Sequence, residues 1–252
     1  MVDSLLETIT SGTTPRPRRV LLYGVHGIGK STWAAGADNP VFVNLEDGLD
    51  EIDCKKFPVA GGTADVLAQL TSLRSGDHTF KTVIIDSVDW LERMIWREVC
   101  ANAGKESIES IAFGKGYGEA ATIMARILAA LTSLRNNTGL HTILLAHSQV
   151  EKFESPTLDT YDRYSPKLHK KASALVQEWS DETLFVNYKI VVRKTEEGFK
   201  KRSMAIGDGE RVVYTCERPG WLAKSRLKLP VEMPLEWAAY AEHFNEKDRT
   251  DG

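Results

Sequence analysis

One glycine-rich stretch near the amino terminus contains the residue types that bind phosphate. The pattern G-x-x-x-x-G-K-S runs from Gly24 to Ser31, between an apolar run and the start of a predicted helix. Glycines allow successive backbone N–H groups to point into one concavity, and the N-terminus of the following helix adds further unpaired N–H groups. The stretch therefore predicts a binding site for a nucleoside triphosphate.

Nine consecutive residues make up this predicted phosphate site. We expect Lys30 to bind the β- and γ-phosphates and the Ser31 hydroxyl to complete the shell of a Mg²⁺ ion. A glycine turn that merely precedes a helix is the alternative, but the complete motif in a strand–loop–helix context disfavours it. ATP and Mg²⁺ are the predicted cofactors. The cofactor-binding residues are Gly24, Val25, His26, Gly27, Ile28, Gly29, Lys30, Ser31 and Thr32.

Two carboxylates follow other predicted strands. The apolar run 41–45 ends in Glu46, and the run 82–85 ends in Asp86. An acid at the carboxyl end of a strand beside a phosphate loop is well placed to orient an attacking water, which makes Glu46 the candidate base. A solvated loop acid is the alternative for Glu46. Asp86, held rigidly by its strand, is the candidate metal-side carboxylate together with Ser31.

A fourth apolar run, 141–146, ends in His147. We expect this imidazole to sense the γ-phosphate and to transmit its presence to the segment that follows. That segment, residues 148–172, mixes charges of both signs with two prolines, and it predicts a long surface loop. The basic end of the loop is formed by Lys167, His169, Lys170 and Lys171.

Residues 104–118 also predict a loop, in which Lys115 lies among glycines and two aromatic residues. This composition suits a loop that binds a nucleic acid strand, because lysine attracts phosphate and aromatic rings stack on bases. A plain flexible connection fits the same residues equally well. The sequence leaves both interpretations open.

Apolar and polar residues alternate from residue 184 onward. The alternation and its Gly-containing turns predict three antiparallel strands, over 184–193, 199–206 and 211–216. The basic side chains of this meander form either a solvated edge or a surface that follows a phosphate backbone.

Composition excludes several classes of protein. The net charge of −3 gives no overall attraction for nucleic acid, so any such surface must be local. The three cysteines form no C-x-x-C pair, which argues against a zinc site and against disulfides. No apolar run approaches the length of a membrane span, and the first residues lack a secretory signal pattern. We therefore expect a cytoplasmic protein with no membrane contact.

The order of strands and helices predicts an α/β fold. We expect a mainly parallel central sheet flanked by helices, followed by the C-terminal antiparallel β-meander. Because Pro15 and Pro17 disfavour regular structure, residues 1–18 are expected to form a flexible arm. A single domain is expected over residues 19–244, with a frayed charged tail over 245–252.

These motifs, taken in order, resemble the core of the RecA-like recombinases over about residues 19–230. The segment 43–50 is similar to the stretch that carries the catalytic glutamate in that family, and 84–88 resembles the strand on its metal side. The ending 223–230 resembles phage-borne RecA-core ATPases, some of which are single-strand annealing proteins of the Sak type. The resemblance implies a RecA-like P-loop NTPase core and Mg²⁺-dependent ATP hydrolysis.

The resemblance also implies roles for individual residues. Glu46 would activate the attacking water, and Asp86 would hold the metal through water. His147 stands where the recombinases usually have Gln. Lys224 and Arg226 would reach the γ-phosphate bound by a neighbouring subunit, which implies a ring or a filament with ATP sites between subunits.

Two functions from different classes follow from these patterns. The leading hypothesis is an ATP-dependent protein of phage recombination that binds single-stranded DNA, in the bacterial host cytoplasm, beside a phage or host single-strand binding protein. The alternative is a regulatory or assembly ATPase that acts on protein partners without touching DNA. A small-molecule kinase is disfavoured, because the segment 148–172 holds only Arg163 where a lid rich in arginines is needed. The predicted DNA contacts are Lys115, Lys167, Lys170 and Lys171.

Overall fold

The computed structural model describes residues 6–155, 159–189, 191–197, 200–206 and 209–245. The strands are β1 (Arg19–Gly24), β2 (Pro40–Asn44), β3 (Lys55–Lys56), β4 (Thr82–Asp86), β5 (His141–Phe153), β6 (Tyr161–Pro166), β7 (Glu182–Tyr188), β8 (Val191–Glu197), β9 (Lys200–Ile206), β10 (Arg211–Tyr214), β11 (Lys224–Ser225) and β12 (Glu232–Pro234). The helices are α1 (Lys30–Ala35), α2 (Thr63–Ser75), α3 (Val88–Ala103), α4 (Lys115–Thr138), α5 (Lys170–Trp179) and α6 (Trp237–Asn245). No helix within these ranges combines the length and the apolar character needed to cross a membrane.

A large central sheet organises the described part of the chain. Its strands follow the order β12-β10-β7-β1-β5-β4-β2-β3, and the run from β7 to β3 is parallel throughout. Strands β1, β4 and the first half of β5 are buried along nearly their whole length, as expected for parallel strands that are covered on both faces. The carboxyl ends of these strands therefore lie at one edge of the sheet.

Alternate side chains of each strand enter two separate cores. Leu21 and Tyr23 of β1 pack with apolar residues of α2, α3, α4 and α5, whereas Leu22 packs with Trp33 of α1 and Tyr240 of α6. The side-chain period of two in a strand produces this division, since successive residues point to opposite faces. The result is a three-layer arrangement of helices, sheet and helices.

The predicted fold class is confirmed, but the C-terminal meander is only partly as predicted. The predicted first strand divides into β7 and β8, and β7 runs parallel to β1 as a full member of the central sheet. Strand β10 pairs antiparallel with β7, while β8 and β9 form a separate two-stranded sheet. Alternation along a strand indicates its two faces, but it does not indicate which neighbour the strand pairs with. The predicted turns at 197–198 and 208–209 include residues outside the described ranges, as do the basic side chains predicted on β8 and β9.

The predicted long loop at 148–172 is wrong. Strand β5 continues past the sheet to Phe153 and pairs antiparallel with β6, and α5 begins at Lys170. The guanidinium carbon of Arg163 in β6 lies 3.8 Å from the centroid of the Phe153 ring in β5, a cross-strand cation–π contact. A ribbon beyond the core buries neither face fully, so it needs no apolar alternation and gives no such signal in the sequence. Residues 156–158 lie outside the described ranges.

The predicted loop at 104–118 is also partly helical. Helix α4 begins at Lys115, preceded by two 3₁₀ turns at Ile108–Ser110 and Ala112–Gly114. A Cβ at Gly116 would lie 2.9 Å from the Ile108 side chain, so glycine here permits close packing between helix and turn. The glycines that suggested a loop therefore serve a packing contact and the helix start.

Buried ion pairs hold the opposite edge of the sheet, where the parallel strands begin. Asp181 accepts hydrogen bonds from the backbone and the guanidinium of Arg19, at 3.1 and 2.9 Å, and Arg135 lies 3.6 Å away. Glu182 accepts from Arg18, a residue of the predicted flexible arm. Burial acts to raise the pKa of Asp181, but the hydrogen bonds and charge of Arg19 outweigh it and hold that pKa below its usual value.

Asp181→Ala is expected to lower the free energy of unfolding by about 3 kcal/mol, because it leaves Arg19 and Arg135 without their buried partner. Urea unfolding followed by circular dichroism measures the change. Asp50→Ala is the matched control, since Asp50 forms an exposed ion pair with Lys56 and should leave the midpoint at the wild-type value. Equal midpoints for both variants would contradict the prediction.

Candidate functional site

The phosphate loop connects β1 to α1 at the carboxyl edge of the sheet. A Cβ at Gly24 would collide with the backbone oxygen of Val186 in β7, so the loop leaves the sheet through a position that only glycine fits. Gly29 has a φ of 104°, a left-handed conformation that other residues rarely adopt, and its carbonyl accepts the first helical bond from Trp33. The local backbone therefore depends on the two glycines that define the motif.

Lys30 is only 7% exposed and lies folded against its own loop. Its Nζ donates to the backbone oxygens of Gly24 and Val25, at 3.2 and 3.0 Å. Burial lowers the pKa of Lys30, while the charge of Asp86 acts in the opposite direction. The ammonium is therefore held at the mouth of the loop, where an incoming phosphate can replace the carbonyl partners.

The first turn of α1 contacts the end of β4. Ser31 Oγ donates to Asp86 Oδ2 at 2.6 Å. Burial raises the pKa of Asp86, and the hydrogen bond from Ser31 and the charge of Lys30 oppose that rise. A cation would favour the charged carboxylate in the same place.

These two oxygens fit Mg²⁺. The ion prefers hard oxygen ligands and usually binds through one or two carboxylates plus substrate phosphates and water, not through an all-protein cage. No group of three or more His, Cys, Asp or Glu side chains that could hold a metal occurs among the described residues. When bound, the ion would supply positive charge to the phosphates beside Ser31 and Asp86.

Glu46 lies in the turn that follows β2, next to the end of β4. The backbone N–H of Leu45 donates to the backbone oxygen of Asp86 at 3.0 Å, which connects this turn to the end of β4. Burial raises the pKa of Glu46, and the nearby Asp86 raises it further. A carboxylate with a raised pKa is a better proton acceptor, so the position and the basicity both suit a general base.

His147 stands at the carboxyl end of the sheet portion of β5 and forms two bonds to one carboxylate. Its backbone N–H and its Nδ1 lie 3.0 and 2.9 Å from the two oxygens of Asp89. The His147 ring also stacks on His26 of the phosphate loop, with ring centroids 3.7 Å apart. Burial lowers the pKa of His26, and the charge of His147 lowers it further. The imidazole is thus held against the loop that would carry the phosphates.

The same residue connects the nucleotide site to the segment that follows β6. The His147 backbone oxygen accepts a hydrogen bond from the Lys167 N–H at 2.7 Å. Two residues further, the His169 N–H donates to both carboxylate oxygens of Glu92, at 3.1 and 3.0 Å. Glu92 lies on α3 one turn after Asp89, so one helix contacts both ends of this connection.

The four lysines predicted to bind DNA are exposed at the starts of two helices. Tyr117 near the start of α4 stacks on His169 at the start of α5, with ring centroids 4.0 Å apart. Phe113, which precedes α4, is 97% exposed. We name this region the basic surface; it comprises Phe113, Lys115, Lys167, Lys170 and Lys171.

Lys224 and Arg226 lie far from the phosphate loop of their own chain. Lys224 in β11 pairs with Thr183, near the first residues of β7, whereas the loop leaves the sheet beside Val186. The Arg226 guanidinium lies 3.4 Å from Asp181 at that opposite edge. The structure therefore does not bring these two residues to the other predicted site residues.

Two residues near the site were not found from the sequence. Asp89 could have been suggested by its position three residues after Asp86, at the start of a helix that faces the same edge. Arg211 gives no such signal, because only the pairing of β10 with β7 brings it near the loop. Its Nη1 donates to the Ile28 oxygen at 3.2 Å.

Comparison with known proteins identifies the family of this chain. Residues 16–227 match the family model AAA_24, described as an AAA domain, and the chain therefore belongs to that family. The crystal structure of the RadB recombinase is similar over 88% of this chain and 90% of that one, at 15% identity and a TM-score of 0.43. No curated protein matches the sequence significantly. With its phosphate loop, the chain is an ATP-binding P-loop ATPase of the AAA class.

Glu92 is expected to make stability fall as pH rises. Burial raises its pKa from 4.5 to about 7, so between about pH 5 and pH 7 the folded protein retains a proton that the unfolded chain has released, and this stabilisation is lost by pH 8. Glu92→Gln keeps an acceptor for the His169 N–H and should remove up to about 3 kcal/mol of this pH dependence. Urea unfolding at pH 5 and pH 8 measures it.

The exposed Glu119 on α4 provides the control for this prediction. Glu119→Gln should unfold with the wild-type pH dependence, because the exposed Glu119 side chain is already surrounded by solvent in the folded protein. A Glu92→Gln variant that retains the full wild-type difference between pH 5 and pH 8 would show that Glu92 does not cause it.

Proposed function

We propose that this AAA-domain ATPase binds single-stranded DNA in an ATP-dependent manner and acts in phage recombination as a Sak-type annealing protein. The observation that carries the proposal is the short connection from the nucleotide site to the basic surface, through the 2.7 Å hydrogen bond between His147 and Lys167. A change at the phosphate loop can reach exposed lysines across a single backbone contact.

The proposed hydrolysis uses residues already held at the carboxyl edge of the sheet. Lys30 exchanges its carbonyl partners for the β- and γ-phosphates, and Ser31 with Asp86 forms the metal side. Glu46 accepts a proton from the attacking water, for which its raised pKa is suited. Each of these roles needs positioning and charge, and the phosphate chemistry itself demands little more from the protein.

In the proposed coupling between ATP binding and DNA binding, His147 is the residue whose position changes with the bound nucleotide. Its side chain lies between Asp89 and the phosphate-loop residue His26, and its backbone oxygen holds Lys167. A γ-phosphate beside His26 would compete with Asp89 for the imidazole. Any shift of His147 that results is transmitted to Lys167, and the bond from His169 to Glu92 supports the next residues.

The basic surface suits a single strand of nucleic acid. Its lysines offer charge to phosphates, and an aromatic ring as exposed as that of Phe113 offers a face on which a base can stack. None of these contacts distinguishes one base from another, so the proposed binding is insensitive to sequence and weakens with salt.

The proposed assembly follows from the position of Lys224 and Arg226. They lie at the edge of the sheet opposite their own phosphate loop, so they can act as positive fingers only on a neighbouring subunit. A ring or a filament with ATP sites between subunits would satisfy this geometry. A phage or host single-strand binding protein is the proposed further partner, because it occupies the same DNA.

Glu46→Gln is expected to keep ATP binding and to lower ATP turnover by about 10²–10⁴-fold, the usual contribution of a general base. Lys30→Ala should abolish both, because it removes the main phosphate ligand. Steady-state phosphate release and equilibrium ATP binding separate the two variants. Normal turnover by Glu46→Gln would move the role of base to Asp47 or Asp50, and normal turnover by Lys30→Ala would refute the phosphate site.

Replacing Lys170 and Lys171 together by Ala is expected to weaken binding to a single-stranded oligonucleotide and to reduce the salt slope by about 1.4, since each lost phosphate contact contributes about 0.7. Fluorescence anisotropy with ATP at several salt concentrations measures the slope.

Lys81→Ala with Lys228→Ala is the charge-matched control for the DNA experiment, because both are exposed lysines outside the basic surface. Its slope should equal the wild-type value. If the wild-type protein binds no oligonucleotide at low salt with ATP present, the DNA proposal fails and an ATPase that acts on protein partners becomes the better hypothesis.

A further inference from the structure

A cleft of about 410 Å³ opens between α1 and α6, directly beside the phosphate loop. We propose that this cleft holds the base and ribose of a nucleoside triphosphate whose phosphates lie in the loop. The inference rests on the proposed nucleotide site and adds the part of the ligand that the motif does not define. The volume of the cleft falls within the usual range for small-molecule sites.

The cleft begins where the phosphate loop ends. Gly29 and Thr32 belong to the predicted phosphate site and also line the cleft. The other side of the loop is occupied, since His26 stacks on His147 there and Asp89 holds that ring. A nucleoside attached to phosphates at Lys30 and Ser31 therefore has its free path toward Thr32 and α6.

An apolar wall faces this path. Leu235 and Trp237 line the cleft and are only partly buried, although the rest of their surroundings is core. The Trp237 ring packs edge-on against Trp33, with centroids 4.8 Å apart, and its Cβ lies 3.0 Å from the position that a Cβ on Gly36 would take. The indole is thus fixed in place by its neighbours while part of its surface stays open. A fixed, partly exposed aromatic ring is a suitable platform for a base.

Arg211 supplies positive charge at the phosphate end of the cleft. Its Nη1 donates to the Ile28 oxygen at 3.2 Å, and a Cβ on Gly29 would lie 2.8 Å from that same nitrogen. A guanidinium has five N–H donors, so one bond to a loop carbonyl leaves others for an α-phosphate or a ring nitrogen. The cleft therefore combines an apolar wall with the Arg211 guanidinium, and the exposed Glu236 also lines it.

The wall belongs to a part of the chain that the family match does not include. The AAA-domain match ends at residue 227, whereas Leu235 and Trp237 follow it. The apolar contacts to the base would consequently come from the C-terminal segment, whereas Arg211 belongs to the matched ATPase domain.

The test compares two ligands by isothermal titration calorimetry on the full chain. ATP carries a base and a ribose, whereas inorganic tripolyphosphate carries the phosphates alone. Trp237→Ala is expected to weaken ATP binding by about 10- to 100-fold, the usual effect of losing one base–aromatic stack, and to leave tripolyphosphate binding unchanged. Trp90→Ala, at a partly exposed tryptophan on α3, is the control and should bind both ligands as the wild type does.

A second variant keeps the test decisive if Trp237→Ala does not fold. Ala238→Trp adds bulk to an exposed position that lines the cleft and removes no core contact, so it should reduce ATP affinity while tripolyphosphate still binds. Wild-type affinity for ATP in both variants would overturn the inference, as would equal wild-type affinities for ATP and tripolyphosphate. If the wild type bound neither ligand, the proposed phosphate site itself would fail, and the inference with it.

Discussion

The hydrogen bond between Ser31 and Asp86 is the contact on which the site depends. Ser31 lies in α1, after the loop that follows β1, and Asp86 ends β4; these two strands are not neighbours, because β5 lies between them. The phosphate loop therefore has to reach across the end of β5 to meet the carboxylate, and this places His147 directly beneath the loop. A buried carboxylate is costly unless it is bonded or neutralised, so the same burial that raises the pKa of Asp86 makes the place favourable for a cation.

Helix α3 connects the Ser31–Asp86 contact to the start of α5. It begins just after β4, so Asp89 and Glu92 lie on successive turns of a helix anchored at the strand end that carries Asp86. Asp89 holds the His147 ring, and Glu92 holds the backbone at the start of α5. The basic surface is consequently supported by the same strand and helix that form the nucleotide site. A rigid element that contacts both regions is the physical requirement for coupling between them.

Sequence patterns predicted those features whose residues are neighbours in the chain. The phosphate loop, the strand that ends in Asp86 and the alternation of strands with helices could all be predicted, because each depends on neighbouring residues and on burial of short apolar runs. Predictions failed where the partner of a segment decides its structure. The ribbon of β5 and β6 was predicted as a loop, and β7 was predicted in an antiparallel meander, since neither pairing leaves a local signal.

By itself, the sequence determined the strand–loop–helix order around the glycine-rich motif and predicted which residues bind phosphate and a cation, because a glycine-rich turn and a strand-end carboxylate act through their own backbone and their immediate neighbours. Only the tertiary structure decided which distant residues meet them. Asp89 reaches His147 because α3 packs beside β5, and Arg211 reaches Ile28, 183 residues earlier, because β10 pairs with β7. The tertiary structure also places Lys224 and Arg226 at the edge of the sheet opposite the phosphate loop. The order of the strands in the sheet determines these contacts. That order depends on pairing and packing across the whole fold, and no local sequence pattern encodes it.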